Sequence, residues 1–443
     1  MAEDARERIP ARARRAAVAG FAGTFIEYFD FALYGVLTVY LAPLFFPAQD
    51  PAVSLLASLA VFGAGFVARP VGGILFGYLG DRHGRRIALL TTVLLMGACS
   101  ALVGVLPTYA QVGALAPVLL LLLRLGQGLS AGSEMLGSVT FVVESAPAGR
   151  RVFLASMTPF GSVIGGAVGG VGVTVLAAAL APEAMASYGW RIAFLMALPL
   201  ALVAFLLRRR IEDSPEFAAM RADDEIVRSP LREALRLHRR RILVAGGLAI
   251  GVNGAAGLAP WFTTYLAGNR GLPAPMVFGI FAATGLLAAL LVPLSGRLGD
   301  RFGQRRVIVT VLLGYLVAIV PIMLVLSTAT GAVPLALASI AFAVLGNLLI
   351  APAFSYIAQL FPRNVRYTAA NLGQNIGTVL GSGIAPLVGG ALLLWTGSGL
   401  GAALWIGVVA LIGLASVWVG RGLSTGDVVS ADHGQRRDSH SRP

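Results

Sequence analysis

The chain of 443 residues is 57% hydrophobic and only 12% charged, with a mean hydropathy of +0.81. A soluble domain carries about twice that charged fraction, and no water-soluble fold of this size hides so much apolar side chain, so an integral membrane protein is indicated. The net charge of +13 comes from 34 basic residues, all arginine, set in short clusters between apolar runs. That is the pattern of membrane loops and not of a nucleic-acid surface.

Twelve apolar segments of spanning length follow in chain order, at 16–42, 52–80, 86–106, 112–143, 152–180 and 189–208, then 241–267, 275–299, 305–327, 333–360, 367–395 and 399–420. Each reaches the roughly 20 residues a helix needs to cross hydrocarbon. The basic stretch before the first segment resembles the start of a secretory signal. The run that follows is long enough to span and holds Glu27 and Asp30, so it reads as a retained helix. The single cysteine, Cys99, excludes an internal disulfide, and the four histidines fall in loops or the tail, so no metal site and no cofactor is implied.

Arginines set the orientation. One set of connections carries Arg82, Arg85 and Arg86; Arg150 and Arg151; Arg208 to Arg210 and Arg239 to Arg241; Arg301, Arg305 and Arg306; and Arg363 and Arg366. The alternate set offers only Arg270, with Arg191 at a helix edge. Positive-inside bias puts both termini in the cytoplasm. The polar interval 209–240 reads as a cytoplasmic linker between a first bundle (1–208) and a second (241–423), and 424–443 as a disordered tail.

An internal repeat supports that division. "GYLGDRHGRR" at 77–86 recurs as "GRLGDRFGQR" at 296–305, matching at seven of ten positions with an offset of 219 residues. Parallel repeats of six helices place a substrate site between the halves near the bilayer midplane. The expected fold is therefore an all-α membrane protein, with twelve transmembrane helices in two six-helix bundles related by a pseudo-twofold axis.

The repeated loop resembles the signature of the major facilitator superfamily. "GTFIEYFDFALYG" (23–35), "FVARPVGGILFGYLGDRHGRR" (66–86), "RLGQGLSAGSEMLGSVTFVVESAPAGRR" (124–151), "YGWRIAF" (188–194) and "IEDSPEF" (211–217) are similar to its metabolite:proton symporter branch, which carries citrate, oxoglutarate, shikimate and proline or betaine. Tyr28, Phe29 and Ser133 depart from that branch's usual residues, which leaves the substrate open. The resemblance implies a gating latch that includes Asp81, Arg82, Arg85, Arg86, Asp300 and Arg301. Partly solvated charges worth about 1 kcal/mol each would let it hold and release. Glu144, near the cytoplasmic end of helix four, is expected to join it together with Arg150 and Arg151.

Glu27 and Asp30 pose the main physical question, because a charge at mid-membrane costs roughly 2.5–3.5 kcal/mol. With Tyr34 they lie within about 60° on one helix face. Counting 1.5 Å per residue, Asp30 lies about 20 Å into helix one and Arg124 about 18 Å into helix four from the opposite side, and Arg69 matches the depth of Glu27. A carboxylate beside arginine favours its charged form, and an unpartnered buried one favours the neutral acid. An Asp30 that alternates between Arg124 and a proton would couple a gradient to the rocking of two halves. The resemblance to proton-coupled sugar carriers points to the same pair. A static ion pair is the competing reading for both couples.

Gln127 and Glu134 share the Arg124 face of helix four, and Glu134 is a second candidate proton site. The second half offers amides, Asn253 and Asn347, with Asn371, Gln374 and Asn375 on helix eleven, suited either to orienting substrate or to gluing helices. Arg69, Arg124, Tyr34 and Gln127 are the candidate substrate contacts in the first half. Buried arginines favour a carboxylate. A zwitterion such as betaine would use aromatic faces, offered by Tyr28, Phe29, Phe31 and Tyr34. The function implied is symport of a small, carboxylate-bearing metabolite with protons, by a monomer in the cell membrane. Proton-driven efflux fits the same residues. A membrane enzyme is disfavoured, since intramembrane acids that cleave peptides sit on facing helices and these two share one.

Overall fold

The structure is a computed structural model and describes residues 9–423. The expected tail, 424–443, lies outside the described residues. Twelve helices are long and apolar enough to span a membrane: α1 (Ala11–Phe45), α2 (Val53–His83), α3 (Arg85–Val105), α4 (Leu115–Ser145), α5 (Ala148–Ala179), α6 (Pro182–Arg209), α7 (Arg239–Asn269), α8 (Pro275–Phe302), α9 (Gln304–Thr328), α10 (Ala332–Gln359), α11 (Arg366–Thr396) and α12 (Gly401–Gly422). No strand occurs among the described residues. Large apolar side chains such as Val317 and Leu394 are almost fully exposed, which only lipid can cover.

The two copies of the signature loop explain their own glycines. Gly84 alone joins α2 to α3, at φ +112, and Gly303 alone joins α8 to α9, at φ +86. A one-residue reversal between long helices requires the left-handed side of the map, where a Cβ is strained. The glycine run at 161–173 serves close packing. A methyl at Gly161 or Gly165 would overlap the backbone carbonyl of Phe21 or Phe25 on α1, so α1 and α5 touch backbone to backbone. Wide π turns interrupt α6 at Met185–Gly189 and α11 at Thr378–Gly383, and another ends α7 at Tyr265–Asn269.

The interval 209–240 contains two short helices, Pro215–Ala222 and Pro230–Leu237. Ser214 caps the first by accepting the Phe217 amide, and Phe217, Met220 and Ala234 are buried, so this segment packs against the bundles as a fixed part. The end of the molecule that carries the arginine clusters is closed. There α2 and α4 meet α11, and the start of α5 meets the end of α8.

Candidate functional site

The middle of α1 carries the buried acids, and α2, α3 and α4 supply their partners. Asp30 is fully buried and accepts from two side chains of α4: Arg124 Nη1 at 3.1 Å and Gln127 Nε2 at 2.9 Å. Gln127 also bonds Ser100 of α3 at 2.9 Å and accepts from Arg124 Nη1 at 2.7 Å. The Arg124 guanidinium lies 3.6 Å above the Tyr34 ring, and the Tyr34 hydroxyl donates to the Ser58 carbonyl at 3.1 Å. Two nitrogens of Arg124, Nε and Nη2, are buried without a hydrogen-bond partner.

Glu27, one turn away, accepts from Arg69 Nη2 at 3.0 Å, and its other oxygen is buried and unpartnered. The Arg69 guanidinium is held between the rings of Phe31 and Phe66, 4.6 and 4.7 Å from their centroids. The expectation that these aromatic faces are offered to a ligand cation is therefore corrected in part. Arg69 lies over Phe31 and Arg124 over Tyr34, because stacking compensates desolvated guanidinium groups that have too few acceptors.

Glu134 does not join this cluster. It accepts from Thr92 Oγ1 at 2.9 Å, from Ser138 Oγ at 3.0 Å and from both terminal nitrogens of Arg208. Arg208 is buried and also donates to the Leu89 and Ala19 carbonyls, at 2.7 and 3.3 Å. Counted with Arg209 and Arg210 among the arginines that set the orientation, Arg208 is in addition the buried partner of Glu134. The signal was there to be read: Ala197, Ala201 and Ala204 form the buried stripe of α6, and Arg208 continues it one turn on.

At the closed end, each signature aspartate caps a helix of the opposite half. Asp81 accepts the amides of Tyr367 and Thr368 at the start of α11, at 3.1 and 2.8 Å. Asp300 accepts those of Val152 and Phe153 near the start of α5, at 2.9 and 2.8 Å. A carboxylate on free N-terminal amides is favoured by both hydrogen bonding and the helix dipole. Arg85 pairs with Asp81 at 3.0 Å and with Glu144 at 3.3 Å, and it donates to the Arg363 carbonyl at 2.8 Å.

One expectation fails here and another is narrowed. Asp81 and Arg85 are wholly buried and not partly solvated, because α11 covers them. Glu144 does meet Arg85 of the signature loop, but its further partners are Arg366 and Ser214 in place of Arg150 or Arg151, since the linker and α11, not the α4–α5 turn, close over it. Arg366 also reaches Glu216 of the linker. Arg86 receives the Asp213 carboxylate on its backbone amide at 3.2 Å and donates to the Arg209 carbonyl at 2.7 Å. Burial pushes the Asp213 carboxyl up, while the amides of Arg86 and Ser214 pull it back. Arg82 turns to the Tyr78 hydroxyl and Arg301 to the Phe302 ring, and both are exposed. Arg151 has no acidic partner among the described residues.

The amides divide. Asn375 crosses between the halves, donating to the Gly132 carbonyl of α4 at 2.6 Å. Asn253, Asn347 and Asn371 each donate to a carbonyl one turn back on their own helix, and their side-chain oxygens accept no hydrogen bond among the described residues.

The family model described as Major Facilitator Superfamily matches residues 20–370 and 279–434. The chain belongs to the major facilitator superfamily. It is 33% identical over 416 residues to the glycine betaine/proline/ectoine/pipecolic acid transporter OusA of Dickeya dadantii (strain 3937), covering 91% of this chain and 82% of the relative. It is 34% identical over 390 residues to the shikimate transporter of Escherichia coli (strain K12), covering 87% and 89%. Among solved structures, the proton:xylose symporter XylE bound to 6-bromo-6-deoxy-D-glucose superposes with a TM-score of 0.77 at 16% identity, over 92% of this chain and 95% of that one. This member of the superfamily is thus a multi-pass secondary transporter and not an enzyme, with the two-bundle fold expected from its repeat.

Proposed function

We propose that this transporter carries a small carboxylate-bearing metabolite together with protons across the cytoplasmic membrane, as a monomer with both termini inside. Its halves, 1–208 and 241–423, would rock about a site between them, joined by the linker 209–240. The observation that carries this reading is the Asp30–Arg124 couple. Arg124 is the one cation that meets the acid among the described residues, with Gln127 and Ser100 as its neutral partners, and two nitrogens of that guanidinium have no hydrogen-bond partner there.

A substrate carboxylate that engages Arg124 Nη2 draws the guanidinium from Asp30, and a proton takes its place on the acid. Substrate and proton are then taken up together or not at all, which is the requirement of symport. Glu27 and Arg69 form a second couple of the same build, with one bare oxygen and one bare nitrogen. Glu134, with both oxygens saturated and Arg208 anchored to two carbonyls, is assigned a structural role. The closed arginine-rich end is assigned to the cytoplasm by the positive-inside bias, which makes the cytoplasmic side of the pathway the shut one.

A second reading, a zwitterion such as proline or glycine betaine, is favoured by the relative OusA, named for such substrates. Both readings share the carboxylate. Purified protein in liposomes, given an acid-outside gradient, should accumulate radiolabelled shikimate, or proline and glycine betaine, and lose the accumulation when an uncoupler collapses the gradient. Uptake indifferent to the gradient would overturn the proton coupling.

A further inference from the structure

The two signature loops end differently. In the first, the Arg86 amide at the start of α3 receives the Asp213 carboxylate. The matching residue of the second copy, 219 positions on, is Arg305 at the start of α9. No side-chain acceptor reaches its amide among the described residues, and α9 begins without a side-chain cap. An open cleft of about 990 Å³ lies at this place.

The cleft is lined by Arg305 and Arg306 of α9, Arg421 at the end of α12, and Arg151 at the start of α5 in the opposite half. Its one acid, Asp300, is already committed to the Val152 and Phe153 amides. None of the four arginines has an acidic partner among the described residues, and Nε of both Arg151 and Arg305 is buried without a hydrogen bond. Four arginines and an open helix N-terminus thus line a space whose one acid, Asp300, is spent on the amides of α5 and pairs with none of them among the described residues.

We propose that this cleft binds a phosphate-bearing anion, which supplies to α9 the negative charge that Asp213 supplies to α3. Because Arg151 comes from the first half and the other three arginines from the second, the bound anion ties the halves together at their closed end. Guanidinium groups match phosphate oxygens bidentately. The cleft lies at helix ends yet reaches one turn along α9 to Val309, so an anionic lipid headgroup, with its chains beside α9, and free phosphate present the same oxygens to it.

The test is the unfolding midpoint of the full-length protein in neutral detergent. One arm adds inorganic phosphate in exchange for chloride at constant ionic strength, and another adds phosphatidylglycerol against phosphatidylcholine. A rise of about 3 °C or more is expected in the arm that supplies the anion. A rise with phosphate identifies free anion, and one with phosphatidylglycerol alone identifies the headgroup. Arg305→Gln/Arg306→Gln should lose the rise, while Arg239→Gln/Arg240→Gln, equal in charge but outside the cleft, should keep it. Should the first pair fail to fold, Arg421→Gln, at the exposed end of α12, should at least halve the rise. The proposal is overturned by no rise in either arm, by an equal rise in the cleft variants, or by a rise that emerges only after residues 424–443 are removed, which would make the chain's own tail the occupant.

Discussion

Arg85 and Gln304 hold the same position in the two copies of the signature loop, yet they are tied down by different chemistry. Arg85 meets Glu144 of α4 through a buried ion pair at 3.3 Å, and Gln304 meets Ser355 of α10 through a neutral hydrogen bond at 3.3 Å. One half is braced by charge and the other by dipoles. The charged brace has the larger penalty for losing one partner.

Replacing Arg85 by Gln alone should therefore lower stability by about 3–5 kcal/mol, because Glu144 is left buried with a partner missing. The pair Arg85→Gln/Glu144→Ser, which copies the second half, should recover most of that loss in a thermal-unfolding assay. A double variant no more stable than the single one would show that the two residues do not act as a unit.

Asp30→Asn should give a folded protein that exchanges substrate across the membrane but no longer concentrates it against a gradient. Counterflow and gradient-driven uptake in the same liposomes separate the two activities. Normal accumulation would remove Asp30 from the coupling step.

Glu134→Gln should behave in the opposite way. Loss of the carboxylate leaves Arg208 buried beside neutral groups, at a cost of about 3–5 kcal/mol, so the melting temperature falls. The combination Glu134→Leu/Arg208→Met should restore it with gradient-driven uptake intact. Loss of coupling in that stable double variant would return Glu134 to the proton pathway.

Gly165→Val should prevent recovery of monodisperse protein, since the new side chain meets the Phe25 carbonyl across the α1–α5 seam. Overpacking of this kind costs about 1–3 kcal/mol, or more where backbone is struck. Gly170→Ala, five residues along and facing open space, should be silent in size-exclusion chromatography.

The fold was legible because hydrocarbon imposes a length on every crossing and because the loop repeat marks two halves. The Asp30–Arg124 and Glu27–Arg69 couples were legible for a related reason: an acid in lipid must find a partner, and depth along a helix narrows the choice. What was missed depends on contacts between segments distant in sequence. Glu144 and Arg366 are 222 residues apart and meet only because α11 folds over the end of α4. The pairing of Arg208 with Glu134 was hidden because Arg208 heads a run of three arginines, of which only the first turns inward.

Arg69 and Arg124 stack on Phe31, Phe66 and Tyr34, so those π faces are spoken for by the protein itself. A quaternary ammonium arriving there would find these rings already covered by guanidinium groups, each paired with a carboxylate. A zwitterion that set its acid end on Arg124 would turn its positive end to the six helices opposite, where the uncharged side-chain oxygens of Asn253, Asn347 and Asn371 accept no hydrogen bond among the described residues.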